Sequence, residues 1–192
     1  MKLYSYVVEH DTGYAPNPYF GLCTLCRCKF EGRNNIVQSA KEGDWVIGTG
    51  GAGKKSAGHG KLIYAMLVDK KLTREKYFSA RRFAQKKPVK TGIYEQTRGD
   101  NERPRNNCEK HEQFVLVSQH FYYFGANAID IPRRFDHLEK KGPWFRCDFD
   151  SAYIDRFVEW LQKAYAPGKH GDPCCQEPVD EPKGSKGCKS SC

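Results

Sequence analysis

With 192 residues, of which 39% are hydrophobic and 13% aromatic, the chain holds enough apolar side chains for one self-sufficient core and too many for general disorder. Its formal charge of +9 favours anionic partners such as nucleotides or nucleic acid, without choosing among them. No apolar run approaches the ~20 residues of a membrane helix, and the N-terminus has no signal-peptide core, so a cytoplasmic location is expected.

The run LYSYVVEHD alternates polar and apolar positions and reads as a first strand, turned by Asp11, Thr12 and Gly13. The following stretch to Lys29 carries two prolines and flanking glycines, which exclude a long helix. Residues 36–40 read as a short helix or extended piece, and WVIGTG, residues 45–50, as a compact strand. A glycine-rich loop, GAGKKSAGHGK, leads into a strand over residues 62–72. Thr73 is placed to cap an amphipathic helix over residues 73–85. Residues 86–112 are polar and turn-rich and read as a surface loop. Strand character returns over residues 113–125, followed by a short extended piece stopped by Pro132. Apolar residues at helical spacing from Tyr153 to Leu161 predict an amphipathic helix capped by Ser151 or Asp150. Pro167 and Gly168 end it, and the remainder to Cys192 has almost no hydrophobes. The expected organisation is one domain over residues 1–166 and a disordered tail over residues 167–192. Strands linked by hairpin-like loops predict an α+β fold, either a small twisted, mostly antiparallel sheet or a barrel with flanking helices.

Four patterns bear on chemistry. GTGGAGKKS nearly spells a phosphate-binding P-loop, but Lys55 stands where a magnesium-binding Ser or Thr belongs, and strand follows instead of helix. It reads as a loop whose amides, with Lys54 and Lys55, can still meet an anion. Cys23, Cys26 and Cys28 form a cluster that Cys108 and His111 would have to complete as a zinc site, in no recognisable zinc-ribbon turn. Small buried thiols are the commoner outcome, and no metal is expected. The odd total of nine cysteines also argues against a closed disulfide framework. A nucleophile would pair Cys23 with His10 or His120, yet no spacing requires it, and the case for an enzyme is thin. Finally, HFYYFG places His120, Tyr122 and Phe124 on one face of a strand and Phe121 and Tyr123 on the other. One face fills a core; the other is covered by the C-terminal helix or offers a stacking surface for a base. Trp45 and Trp144 are further stacking candidates, each also suited to a core or interface.

Taken together, LYSYVVEHDTGYAPNPYFGLCTLCRCK, GDWVIGTG, LIYAMLVD, FVLVSQHFYYFG and NAIDIP resemble the nucleotide modification associated domain 2 (Nmad2) family, over residues 3–161. The resemblance implies a role near the modification of DNA bases or nucleotides in bacterial and phage systems, not a particular reaction. The layout of GDWVIGTG, LIYAMLVD and a helix is also similar to PUA-like domains, including the EVE and ASCH groups. That similarity implies a small barrel holding a base in an aromatic-lined pocket. It would place Trp45, Thr49, His120 and Tyr122 nearest the pocket, with His10 and Asn17 folding over it.

The reading is a binding module for a modified nucleobase or nucleotide, with no cofactor. Aromatics would stack the base, Asn17 or His120 would bond its edge, and Lys54 and Lys55 would meet phosphate. The alternatives are an enzyme acting on a nucleotide or base, and a module that docks a protein of a modification or defence complex.

Overall fold

The computed structural model describes residues 1–13, 15–26, 35–53, 56–86 and 113–174. In chain order the elements are β1 (Leu3–Val8), β2 (Cys23–Leu25), α1 (Ile36–Ser39), β3 (Trp45–Gly50), β4 (Leu62–Leu67), β5 (Lys70–Thr73) and α2 (Arg74–Ser79). A 3-10 helix at Arg81–Lys86 follows, then β6 (Phe114–Ser118), β7 (Phe121–Tyr123), a 3-10 helix at Arg133–Leu138, β8 (Phe145–Arg146), α3 (Ser151–Ala164) and β9 (Gly168–Lys169). Thr73 caps α2 as expected, its side chain accepting from the Lys76 amide. At α3 the cap is Asp150, which accepts from the amides of Ala152 and Tyr153.

Both long apolar runs of the sequence bend. The run over residues 62–72 divides into β4 and β5 around Val68 and Asp69, and the run over residues 113–125 divides into β6 and β7 around Gln119 and His120. The two bends coincide, because β4 pairs with β7 while β5 pairs with β6. Asp69 fastens the corner: its Oδ2 accepts from the amides of Gln119 at 2.5 Å and His120 at 3.3 Å, and its own amide donates to the Val117 carbonyl. One bent ribbon therefore serves two sheets, a six-stranded one in the order β8-β1-β3-β4-β7-β9 and a three-stranded one in the order β2-β6-β5. The pairing is mostly antiparallel, with β1/β3 and β7/β9 parallel, and the sheets do not close into a barrel.

The large sheet has two buried faces. On one, Tyr4, Tyr6, Val46, Tyr64 and Met66 pack against Cys23, Leu25 and Leu116 of the small sheet and against Ile36 and Val37 of α1. On the other, Leu3, Trp45, Ile47, Ala65 and Tyr122 pack against Ile154, Phe157 and Leu161 of α3. A bulge shifts the β3/β4 register between Gly48 and Thr49, leaving Ile63 unopposed. Gly48 lies where the Tyr64 ring crosses β3, and a Cβ there would stand 2.5 Å from Tyr64 Cε1 and 2.6 Å from Val8 Cγ2.

Two expectations need correction. The helix over residues 73–85 breaks at Ala80, because Tyr77 and Phe83 stack at 4.5 Å, and six residues of continuous helix would hold those rings on different sides. The segment opening the expected tail is folded as far as Cys174: Gly168 and Lys169 pair with Tyr122 and Tyr123, and the Asp172 carbonyl accepts from the Ala126 amide. The tail had no apolar signal because β9 is held by backbone bonds. Residues 175–192 lie outside the described residues.

Phe157 is fully buried and contacts Phe135 at 5.6 Å between ring centroids. Replacing it with alanine is expected to cost about 3–5 kcal/mol of stability, read from urea unfolding.

Candidate functional site

Strand direction gathers one set of chain ends. β1, β3, β7 and β9 run the same way, so Val8, Gly50, Tyr123 and Lys169 finish at one rim of the large sheet. The described segments that leave this rim are residues 9–13 and 15–22, residues 51–53 and 56–61 of the glycine-rich loop, residues 124–132 and residues 170–174.

Between the two sheets, this rim holds buried polar groups. Asp11 is only 1% exposed, and its Oδ1 accepts from the Tyr123 hydroxyl at 2.6 Å. Burial pushes the Asp11 carboxyl up, opposed by the Tyr123 hydroxyl and the amides of Gly13 and Cys174. Burial, then the neighbouring Asp11 charge, pushes the Tyr123 phenol far up, so it remains a donor. Asp11 Oδ2 makes no hydrogen bond of full geometry, the amides of Gly13 and Cys174 acting on the carboxylate from nearby. Close by in the fold, the Tyr64 hydroxyl donates to that of Tyr6 at 2.9 Å.

Asn17 is fully buried, bridging by backbone to Thr24. Its Oδ1 lies 2.5 Å from Lys86 Nζ, while its Nδ2 has no partner. Lys86 is itself 1% exposed, and its ammonium also reaches the carbonyls of Asn17, Tyr19 and Leu22 at 3.0–3.2 Å. A cation at the centre of four oxygens fixes the 17–22 turn and orients the Asn17 amide. At the opposite side of the rim, Ser56 Oγ is buried without a partner above Gly50. A side chain on Gly50 would strike the Gly58 carbonyl, so the loop lies directly on the end of β3.

The sequence-predicted residues separate into three groups. Asn17 and His10 belong to the rim, Asn17 buried and His10 exposed just beyond β1. Trp45, His120 and Tyr122 form one cluster, with Trp45 and Tyr122 stacked 6.4 Å apart and His120 Nε2 3.0 Å from the Tyr122 hydroxyl. This cluster sits at the start of β3, ~17 Å from the glycine loop at its end. Trp45 and Tyr122 are 2% and 0% exposed beneath α3, so they have no open ring face for a base. That corrects the expected aromatic pocket: the helix covers this face because its own apolar stripe needs the burial. Thr49 faces the same interior and is fully buried, its hydroxyl 3.4 Å from the Tyr6 carbonyl. His120 and Cys23 lie on opposite faces of the large sheet, so they form no nucleophile–base pair. Cys23 is buried with its Sγ 3.9 Å from Met66 Sδ, and Cys26 is buried too. Lys54, Lys55, Cys28, Cys108 and His111 lie outside the described residues.

Trp144 is different. It is 45% exposed and borders β8, one residue beyond the Tyr6–Phe145 pair, which brings it toward the rim. Beside it a cleft of about 870 Å³ is lined by His137, Glu139, Lys140, Lys141, Phe145 and Arg146, among others. His59 of the glycine loop lies 3.7 Å from Glu139 and joins the cleft to the rim. Sequence reasoning missed Asp11, Tyr123 and Lys86. Asp11 was read as a turn residue, and Lys86 as the start of a surface loop.

An α+β domain with buried polar groups at the rim of a mixed sheet is the class that fold and site define. The chain belongs to the nucleotide modification associated domain 2 family, whose model matches residues 1–111 and 101–180. No curated protein and no solved structure matches it. Among the described residues no group of three or more His, Cys, Asp or Glu is placed to hold a metal ion. None of the described helices is long and apolar enough to cross a membrane.

Two measurements check this geometry. Because folding raises the Asp11 carboxyl above its ordinary 3.8, the ionised group costs stability as pH rises through the folded value. Asp11→Asn should therefore raise the thermal midpoint at pH 7–8, with the gain vanishing below about pH 4. Lys86→Met should lower stability by about 2–3 kcal/mol and open residues 17–22 to hydrogen exchange, since it strands the carbonyls that the ammonium now satisfies.

Proposed function

We propose that this protein is a binding module for a nucleobase or nucleotide, seated at the rim between the glycine-rich loop and the 11–22 segment. The observation that carries the reading is that, of the four buried side-chain polar atoms without partners among the described residues, three, Asp11 Oδ2, Asn17 Nδ2 and Ser56 Oγ, lie in segments bordering that rim, the fourth being the Tyr153 hydroxyl on α3. Each such atom costs about 1–3 kcal/mol when left unpaired. A carboxylate acceptor and an amide donor are the groups that read the edge of a base, accepting from an exocyclic amine and donating to a ring carbonyl. The family's name ties the domain to nucleotide modification, which favours a modified base as the natural ligand.

In this reading Asp11 and Asn17, which are 1% and 0% exposed, bond the base edge once the 11–22 segment shifts to admit it, with Asp11 held by Tyr123 and Asn17 held by Lys86. The glycine loop supplies backbone amides for phosphate, and Lys54 and Lys55, adjoining Gly53 in sequence, supply charge. His10 stands at the entrance. Trp45, Tyr122 and His120 serve the scaffold, not the ligand.

Isothermal titration against nucleosides and nucleotides, unmodified and base-modified, tests this. Asp11→Asn keeps the acceptor for Tyr123 and is expected to weaken binding tenfold or more. A Lys54→Glu, Lys55→Glu double variant should weaken nucleotides while leaving nucleosides unchanged. Equal binding by the Asp11→Asn protein, or no binding of any nucleoside or nucleotide, removes the proposal. Turnover of a bound nucleotide that stops with Asp11→Asn replaces it with the enzyme reading.

A further inference from the structure

Two residues break the same pair of rules. Phe20 and Trp144 are the non-glycine residues with positive φ among those described, at 59° and 70°. They are also the large aromatic side chains left exposed, at 46% and 45%. Left-handed backbone disfavours bulky side chains, and exposed rings gain nothing from burial. In the turn at Tyr19–Leu22, closed by the Leu22 amide on the Tyr19 carbonyl, Phe20 and Gly21 both have positive φ. Such a turn favours Gly, Asn or Asp at both central positions. Stability alone would not place phenylalanine there.

Both residues flank the rim. Trp144 precedes β8, the strand at one edge of the large sheet. Phe20 adjoins Tyr19, whose ring lies 5.4 Å from Lys169 Nζ of β9, the strand at the other edge. Six strands about 4.8 Å apart separate these edges by ~24 Å. A single nucleotide cannot touch both rings. The niche of Asp11, Asn17 and Ser56 lies between them.

Charge follows the same line. Lys169 Nζ, which is paired with Asp172 at 2.5 Å, stands by Tyr19, and the buried Lys86 Nζ is 6.0 Å from the Phe20 ring centroid. At the other flank the cleft holds Lys140, Lys141 and Arg146 together with Asp136, Glu139 and Asp148. Of its acids, Asp148 is paired with Arg146 at 2.7 Å, while Asp136 and Glu139 stand beside the imidazoles of His137 at 3.9 Å and His59 at 3.7 Å. Lys140 Nζ caps the carbonyls of Lys141 and Gly142, whereas Lys141 makes no ion pair among the described residues. Rings spaced along a basic track are how sequence-tolerant proteins hold single strands, over about 4–16 nucleotides.

Building on the base-binding reading above, we propose that the ligand base is presented by a single-stranded nucleic acid that crosses the rim, with flanking bases stacked on Trp144 and Phe20. The rim niche reads one base, the two rings hold its neighbours, and Lys141 and Lys169 meet the backbone.

Fluorescence anisotropy with labelled single strands of about 12 nucleotides, one DNA and one RNA, tests this beside titration of the matching mononucleotide. The parent protein should bind at least one strand more tightly than the mononucleotide. Trp144→Ala and Phe20→Ala should each weaken that strand about tenfold and leave mononucleotide binding unchanged. Trp144→Phe, which keeps a ring, should restore most of the affinity. Since both side chains are exposed, an unchanged thermal midpoint confirms that the variants fold. Strand affinity that survives both alanine changes, or a strand bound no better than the mononucleotide, overturns the strand proposal alone. Indifference of mononucleotide and strand alike to Asp11→Asn overturns the base-binding reading beneath it.

Discussion

The corner at Asp69 is the constraint from which the rest of the architecture follows. Two paired ribbons bend at the same level, and a single carboxylate takes the amides of Gln119 and His120 that the bend removes from the ladder. Without the bend, β5 and β6 would simply lengthen the large sheet. With it, they fold back as a second sheet whose inner side chains, Leu116 and its neighbours, cover the face of Tyr6, Tyr64 and Met66. The opposite face then needs its own cover, and the apolar stripe of α3 supplies it.

This packing explains why polar groups collect where they do. Two sheets joined at one corner diverge away from it, and the far rim is where four strands end in the same direction. The interior there is not closed by apolar side chains alone. It is also lined by phenols, a carboxylate and an amide, and stiffened by the Lys86 ammonium within the turn that carries Asn17. The paired groups brace one another, while Asp11 Oδ2 and Asn17 Nδ2 stay without partners.

The aromatic residues illustrate how chemistry and position diverge. Trp45, His120 and Tyr122 have the rings a base would stack on, yet they sit under α3 at the end of β3 remote from the glycine loop. Phe20 and Trp144 are single residues in irregular segments, and nothing in their sequence neighbourhoods sets them apart except the glycine or proline beside them. Their backbone conformation and exposure distinguish them. Alternation along HFYYFG correctly divides its side chains between two faces, but alternation carries no information about which face a helix will cover.

By itself, the sequence determined the α+β class, the main strands and helices, the threonine and aspartate caps, and the family resemblance that the family match supports. These depend on local spacing and on residues whose conformational preferences act within a few positions. Only the tertiary structure decided that two apparent strands are four, that Lys86 lies inside, and that Asp11 meets Tyr123 across 112 positions of sequence. Those outcomes depend on where the chain bends and which surfaces compete for burial. Competition of that kind is settled by the whole packing arrangement and leaves no mark at short range.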